Sequence, residues 1–395
     1  MTRLLVLSLA LLSGCGTGAP TIQLHGAEAY PQQLSHWGVV TAHGKRLQLG
    51  QDVLPFDLNT PLFSDYAHKL RTLWLPPGTQ AEYRSDDLFA FPVGTLLSKT
   101  FYYPLDADGR LTLNDDYGND FSADGLDLDR VRLIETRLLV HQPDGWDALA
   151  YVWDDAQRQA RLEIAGEILN LPVHDGGAAR SLTYIVPTRD ECGNCHIADH
   201  TRGALEPIGT QARHLDKTYD HYADGPAPQL ARWEQAGYLG GRSTTTATTK
   251  VPANALWTPD ATDDLDHRAR SYLDVNCGHC HNPRGAADTS GLFLDARETE
   301  PRRLGLCKPP IAAGRGSGGL AYSLVPGQPE ASILSYRMHA TQLDVMMPEI
   351  GRTTVHREGV ALIDAWIGNF PGGVSQSIVE LTYQGCSGHQ KTFTR

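Results

Sequence analysis

Two short stretches carry chemistry by residue type and spacing: Cys192-x-x-Cys195-His196 in "ECGNCH" and Cys277-x-x-Cys280-His281 in "NCGHCH". Two thiols three residues apart on one helical turn reach the two vinyl groups of one porphyrin edge, and the adjacent histidine then points its imidazole at the iron. Each stretch therefore reads as a covalent attachment site for a c-type haem. Cys192, Cys195, Cys277 and Cys280 would be the anchors, and His196 and His281 the proximal iron ligands. With seven cysteines and sixteen histidines in the chain, a chance C-x-x-C-H is expected on the order of a few thousandths per chain. Two such motifs are not accidental.

What occupies the far face of each iron separates an electron carrier from an enzyme. The chain has four methionines, Met1, Met338, Met346 and Met347, the last two in "DVMMPEIGR". No methionine lies between Met1 and Met338, so the first haem must look to histidine unless the later segment donates its ligand. His214 and His221 in "RHLDKTYDHY" are the candidate distal ligands, with His174 in "PVHDGG" a weaker one. His200, four residues after His196, falls on the same helical face and so on the proximal side. An open iron would bind peroxide, oxygen or nitric oxide.

Two other uses of the cysteines fit less well. A zinc site built from both C-x-x-C pairs would span a gap far longer than that of a zinc ribbon and would leave both histidines unexplained. Thiol–disulfide exchange normally sits in a thioredoxin-like βαβ context, which neither motif has. Cys307 and Cys386 stand outside the motifs. In an oxidising compartment they read as a disulfide tying the C-terminal tail to the second haem segment.

The elements that must position these groups follow from pattern. Residues 1–14 are a signal peptide with Arg3 before the apolar run Leu4 to Leu12, too short to span a bilayer as a mature helix. Leu12-Ser13-Gly14-Cys15 resembles a bacterial lipobox, which implies lipidation at Cys15. A polar tether covers 15–31. Residues 32–186 read as a β-rich domain, clearest in a meander of Arg132 to His141, Trp146 to Trp153 and Arg158 to Ile164, with weaker strands at Leu47 to Leu58 and Phe101 to Leu105. The first haem segment spans 187–241, with a short helix at Gln229 to Gly237, and a linker covers 242–262. The second spans 263–370, with helices predicted at Leu265 to Asn276, capped by Asp263-Asp264, and at His356 to Ile367. A tail, 371–395, follows.

This second segment resembles class I cytochrome c: a helix, C-x-x-C-H, a Met-Pro-x-x-Gly loop and a closing helix. The resemblance implies that Met347, directly before Pro348, is the axial ligand, with Met346 as the alternative. It also implies a low-spin, high-potential haem, since a thioether ligand raises the potential. More broadly, "PLFSDYAHKLR", "TRDECGNCH", "RARSYLDVNCGHCHNPRG", "TSGLFLD" and "GVALIDAW" resemble a family of dihaem c-type cytochrome lipoproteins of proteobacteria. That resemblance implies two covalent haems and exported electron transfer.

Composition narrows the partners. A net charge of −12 repels phosphate backbones and argues against nucleic acid. Basic redox proteins suit it better, and the membrane would be met through the N-terminal lipid alone. The acidic run from Asp106 to Asp129 holds eight aspartates, but it lacks the spacing of a calcium loop and reads as solvated. "GRGSGG" reads as a flexible loop, and Arg284 and Arg315 are candidate partners for haem propionates.

The expected fold is α+β multidomain, a mostly-β, sandwich-like N-terminal domain followed by α-helical cytochrome c-type haem domains. The expected function is one-electron transfer by an exported, outer-membrane-anchored dihaem cytochrome. The alternatives are a peroxidase-like haem enzyme with an open first haem, and a β binding module served by attached haems.

Overall fold

The computed structural model describes residues 19–117, 120–123, 125–242, 253–258, 262–311, 313–370 and 386. Strands rich in β-branched and aromatic residues build a six-stranded sheet. Leu54–Phe56, His68–Trp74, Leu96–Pro104, Val131–Gln142, Gly145–Trp153 and Ala160–Glu163 lie side by side in chain order. Every neighbouring pair is antiparallel. The meander read from the sequence is thus the middle of a longer one. The candidate strand at Leu47 to Leu58 is two strands, Arg46–Leu49 and Leu54–Phe56, split by a turn.

Side chains alternate across this sheet, and both faces are covered. On one face, Leu70, Tyr102, Leu138 and Tyr151 pack with Trp37, Leu47 and Leu126 from smaller strands and loops. On the other, Phe101, Ile134 and Val152 meet a hairpin of Glu167–Asp175 and Ala178–Val186 through Val173, Leu182 and Tyr184. Beside that hairpin, Phe56, Leu73 and Leu97 meet Leu215, Leu230 and Trp233 from the segment after the first motif. Leu47, Leu73 and Leu215 are fully buried, each worth roughly 1.5–3 kcal/mol relative to exposure.

The expected α-helical haem domains are not what forms. Among the described residues there are six helices: α1 (Gly193–His196), α2 (Ala212–Leu215), α3 (Gln229–Gln235), α4 (Leu265–Asn276), α5 (Ile333–His339) and α6 (Arg357–Gly368), none longer than twelve residues. The protein is mostly β, and the segments carrying the motifs are largely turns and loops. The physical reason lies in their composition. Pro207, Gly209, Pro226 and Pro228 break the first segment, and Pro301, Gly305, Pro309 and Pro310 the second. The first segment buries its apolar residues against the sheet, and the second gathers Tyr272, Leu273, Leu334, Ile363 and Trp366 from three short helices, with loop residues, in a small cluster of its own.

The first segment is also joined to the sheet domain by backbone pairing, with Leu239–Gly240 parallel to Ala81–Glu82. No helix of the described residues is long and apolar enough to cross a membrane. Residues 1–18, with the expected signal peptide and Cys15, lie outside the described residues.

Candidate functional site

Both C-x-x-C-H motifs open onto one cavity of about 1120 Å³, lined by Cys192, Cys195, His196, Cys277, Cys280 and His281. Pockets for single small ligands span about 300–1,000 Å³, so this one has room for more. The motifs touch, since the Sγ of Cys280 lies 3.6 Å from the carbonyl oxygen of Asn194.

Local structure sets each motif differently. A 3-10 turn, Asp190–Cys192, leads into α1 at the first. At the second, α4 opens with the Asp264 carboxylate accepting the His267 N–H at 2.8 Å. Its last turn delivers Cys277 at the C-cap. Gly278 is required there, because a Cβ at that position would lie 2.7 Å from the Asp274 carbonyl oxygen and 2.9 Å from the Asp295 Cα.

The two histidines share one arrangement. Nδ1 of His196 lies 2.8 Å from the Glu206 carbonyl oxygen, and Nδ1 of His281 lies 3.1 Å from that of Leu292. A carbonyl at Nδ1 takes the ring proton and leaves the Nε2 lone pair free, as a metal-ligating histidine requires. Neither Nε2 makes a hydrogen bond among the described residues. Burial, reinforced by Lys99, pushes His196 down to about 4, so its imidazole is neutral.

These features fit haem and oppose the other uses of the cysteines. Burial pushes Cys277 and Cys280 up to about 12, and a thiol held that way is a poor exchanger. Among the described residues the motif cysteines are unpaired. They also form no cluster of metal-ligating atoms within 4.8 Å of one another.

Met346 and Met347 both line the cavity. Met346 is buried at 2% exposure, packed with Ala340 and Val345. The Met347 backbone is held from both sides: its N–H donates to the Arg337 carbonyl at 3.0 Å, and its carbonyl accepts from Arg352 at 2.8 Å. The buried Arg352 guanidinium also donates to the carbonyls of Ala340 and Thr354. It clamps the methionine loop, a role the sequence hints at only through the Arg following Pro348-x-x-Gly351.

The loop is further anchored to the β domain by "FSDY". The Asp65 carboxylate accepts the backbone N–H groups of Thr353 and Thr354, both at 2.7 Å. The Tyr66 hydroxyl donates to Glu358 at 2.7 Å, and the Phe63 N–H donates to the Asn276 side chain at 2.8 Å. Asp65 and Tyr66 hold positive φ, 51° and 61°, a conformation that costs non-glycine residues and is maintained here by these bonds. Behind the loop α4 crosses α6 closely at Gly359, where a Cβ would sit 2.4 Å from the Tyr272 hydroxyl.

The distal candidates for the first motif fare unequally. His221 sits edge-on to Tyr219 and is not on the cavity wall. His174 lies in the hairpin, 3.8 Å from Asp106, also away from the cavity. His214 is on the wall, with Nδ1 accepting from the Asn254 amide at 3.2 Å, which leaves the ring proton on Nε2, beyond hydrogen-bond distance of the Asp274 carboxylate at 3.8 Å. The expectation for His200 fails for a local reason: the helix ends at His196, and Ile197 leaves helical geometry with ψ 83°. His200 instead lines the cavity, its N–H donating to the Arg284 carbonyl. Arg284 reaches the wall as well, whereas Arg315 pairs with Asp344 away from it.

One wall group was not foreseen. Arg71, Lys99 and Arg137 occupy one rung across three adjacent strands of the sheet and line the cavity. Arg71 is neutralised by Asp57 at 2.7 Å and Arg137 by Glu135 at 2.9 Å. Lys99 has no carboxylate partner among the described residues, only the Phe101 ring at 5.2 Å. Burial, with Arg137 and Arg71, pushes it down to about 7. Like charges directly opposite one another destabilise a sheet; here two are offset by carboxylates, and the third is held partly deprotonated. The alternation of Leu97, Lys99 and Phe101 was the available signal.

Cys307 and Cys386 are joined by a disulfide, with Cα atoms 5.1 Å apart. Compared with models of known protein families, with curated proteins and with solved structures, the chain matches none.

Proposed function

We propose that this chain is an exported c-type cytochrome that carries two covalent haems in one cavity and passes single electrons between redox partners. The observation that carries this reading is the pairing of the motifs. Two C-x-x-C-H sequences from distant parts of the chain converge on a shared cavity, each histidine with a carbonyl on Nδ1 and a free Nε2. A haem supplies reversible one-electron chemistry when bound. The chain's own residues do the rest. The four cysteines anchor, His196 and His281 present Nε2, and Met347 or Met346 presents a thioether on a loop fixed by Arg352 and Asp65.

Contact between the motifs supports electron carriage from one centre to the other within the chain. Export and lipid anchoring at Cys15 rest on the leader sequence alone.

A second reading, a peroxidase-like enzyme at the first haem, is favoured by the state of the wall near His196. His221 is elsewhere and His214 is engaged, so neither offers a free nitrogen to that iron.

Low-temperature EPR of the oxidised protein, with the haem-to-protein ratio measured on the same sample, tests both readings. Two haems with only low-spin signals support electron transfer. A substantial high-spin signal supports the open site, and fewer than two covalent haems overturns the proposal.

A further inference from the structure

We infer that Asp115, His356 and Glu358 form a binding site for one divalent transition cation such as Zn²⁺, at the edge of the motif cavity, whose wall His356 also joins. Their ligand atoms all lie within 4.8 Å of one another, and His356 Nε2 is 3.8 Å from Glu358 Oε2.

Three observations carry the assignment. First, His356 is buried at 3% exposure and its Nε2 has no hydrogen-bond partner. A buried ring nitrogen left unsatisfied is costly, yet this one is held in place. Phe63 stacks on the imidazole with centroids 4.2 Å apart, and the Tyr272 hydroxyl lies 3.0 Å from Nδ1. With Nδ1 donating to that hydroxyl, Nε2 presents its lone pair toward the two carboxylates.

Second, Asp115 and Glu358 face this imidazole with no lysine or arginine partner among the described residues. Glu358 accepts one hydrogen bond from Tyr66 at Oε2, the oxygen that faces His356, which orients the carboxylate and leaves a second lone pair on that oxygen and the whole of Oε1 available. Third, the buried Tyr117 hydroxyl next to Asp115 also lacks a partner, so a second polar group without a partner lies close to the cluster.

The donor set selects the metal. One imidazole nitrogen with two carboxylates suits Zn²⁺ and its first-row neighbours, whereas Ca²⁺ and Mg²⁺ take oxygen ligands. Bonds of about 2.0–2.1 Å to zinc would draw the three ligand atoms together by roughly 1 Å. The half-exposed carboxylates can supply that movement, while the stacked imidazole stays fixed. The bound cation would join the acidic loop after Leu111–Thr112 to the first turn of α6.

The test uses the full-length, haem-loaded protein, dialysed against EDTA and then offered Zn²⁺ alone. Zinc per chain is measured by mass spectrometry after gel filtration, and thermal stability by calorimetry. One zinc per chain and a raised Tm are expected. Affinity should fall about tenfold or more in Glu358→Gln and in Asp115→Asn. Both changes preserve side-chain shape, so folding is retained and can be checked by the unchanged haem spectrum. Asp129→Asn, in the same acidic run but paired with Lys45, should bind as the wild type does. The inference is overturned if no zinc is retained, if both carboxylate variants bind normally, if Asp129→Asn loses zinc equally, or if Ca²⁺ raises the Tm and zinc does not.

Discussion

The Sγ of Cys280 lies 3.6 Å from the carbonyl oxygen of Asn194, so an anchoring atom of the second motif rests on the backbone of the first. The motifs are close neighbours on one wall, held by the sheet beneath them. That proximity makes the following outcomes separable in experiment.

Met347→Ala should lower the potential or raise the spin state of one haem and leave the other's spectrum intact, because a thioether ligand stabilises ferrous iron. Met346→Ala should chiefly reduce stability, by about 2–5 kcal/mol for a buried methionine. Redox titration and EPR of both variants check the assignment. An unchanged haem in Met347→Ala alongside a changed one in Met346→Ala would exchange the two roles.

Lys99→Met removes the one cation of the Arg71–Lys99–Arg137 rung that has no carboxylate partner. A nearby positive charge favours the reduced, less positive iron. Below pH 7, where Lys99 carries its charge, its loss should lower the potential of one haem by an amount on the order of tens of millivolts. The shift should be largest for the haem at Cys192 and Cys195, and spectroelectrochemistry reads it directly.

Asp274→Ala should be among the most destabilising single changes in the chain. Arg213 binds this carboxylate through two nitrogens at 2.8 and 3.0 Å, both residues buried. Breaking such a pair leaves an uncompensated buried charge and costs about 3–5 kcal/mol. Urea denaturation followed by haem absorbance gives the value.

The same cluster makes the protein acid-labile. Burial pushes His214 down from 6.5 to about 4, so the unfolded chain takes up its proton first as pH falls. Stability should therefore decline between pH 6.5 and 4. Burial works against the Asp274 charge, but His214 and Arg213 outweigh it and hold the carboxyl well below the usual carboxylate range. Its contribution persists above the unfolded value and is lost only at still lower pH. Unfolding midpoints across pH 4–7 should show the first decline, and Asp274→Asn, which removes the charge that partly holds His214 up, should enlarge it.

Cys386→Ser opens a crosslink between residues separated by 79 positions. Stability should fall by about 2–5 kcal/mol with both haem spectra unchanged. Altered spectra would mean that the tail also shapes the cavity.

The periodic elements were legible in the sequence. The strands around Arg137 and Tyr151, and the helix from Leu265 to Asn276 with its Asp264 cap, follow from alternation, helical spacing and capping chemistry. The helices α4 and α6 form where spacing predicts them, but the α-helical haem domains expected around them do not, because proline and glycine keep their surroundings irregular. The clamp by Arg352, the anchoring of Thr353 and Thr354 by Asp65, and the meeting of Asp115 with His356 join residues far apart in the chain. No local pattern records such pairings. Lys99 was hidden differently: a lysine in an apolar strand reads as an edge or solvent position unless the covering layer is known.

The placement of the motif cysteines inside one cavity also bears on timing. Cys192 is 8% exposed, and the motifs face each other inside a cavity walled by the sheet, the methionine loop and α4. Cys195, Cys277 and Cys280 are partly exposed there, but the surrounding walls narrow the approach of an attachment enzyme. On the proposed reading, both haems must be joined to the chain soon after it crosses the membrane and before the sheet and the methionine loop meet. Folding would then complete itself around them, and a chain that closed early would be beyond rescue.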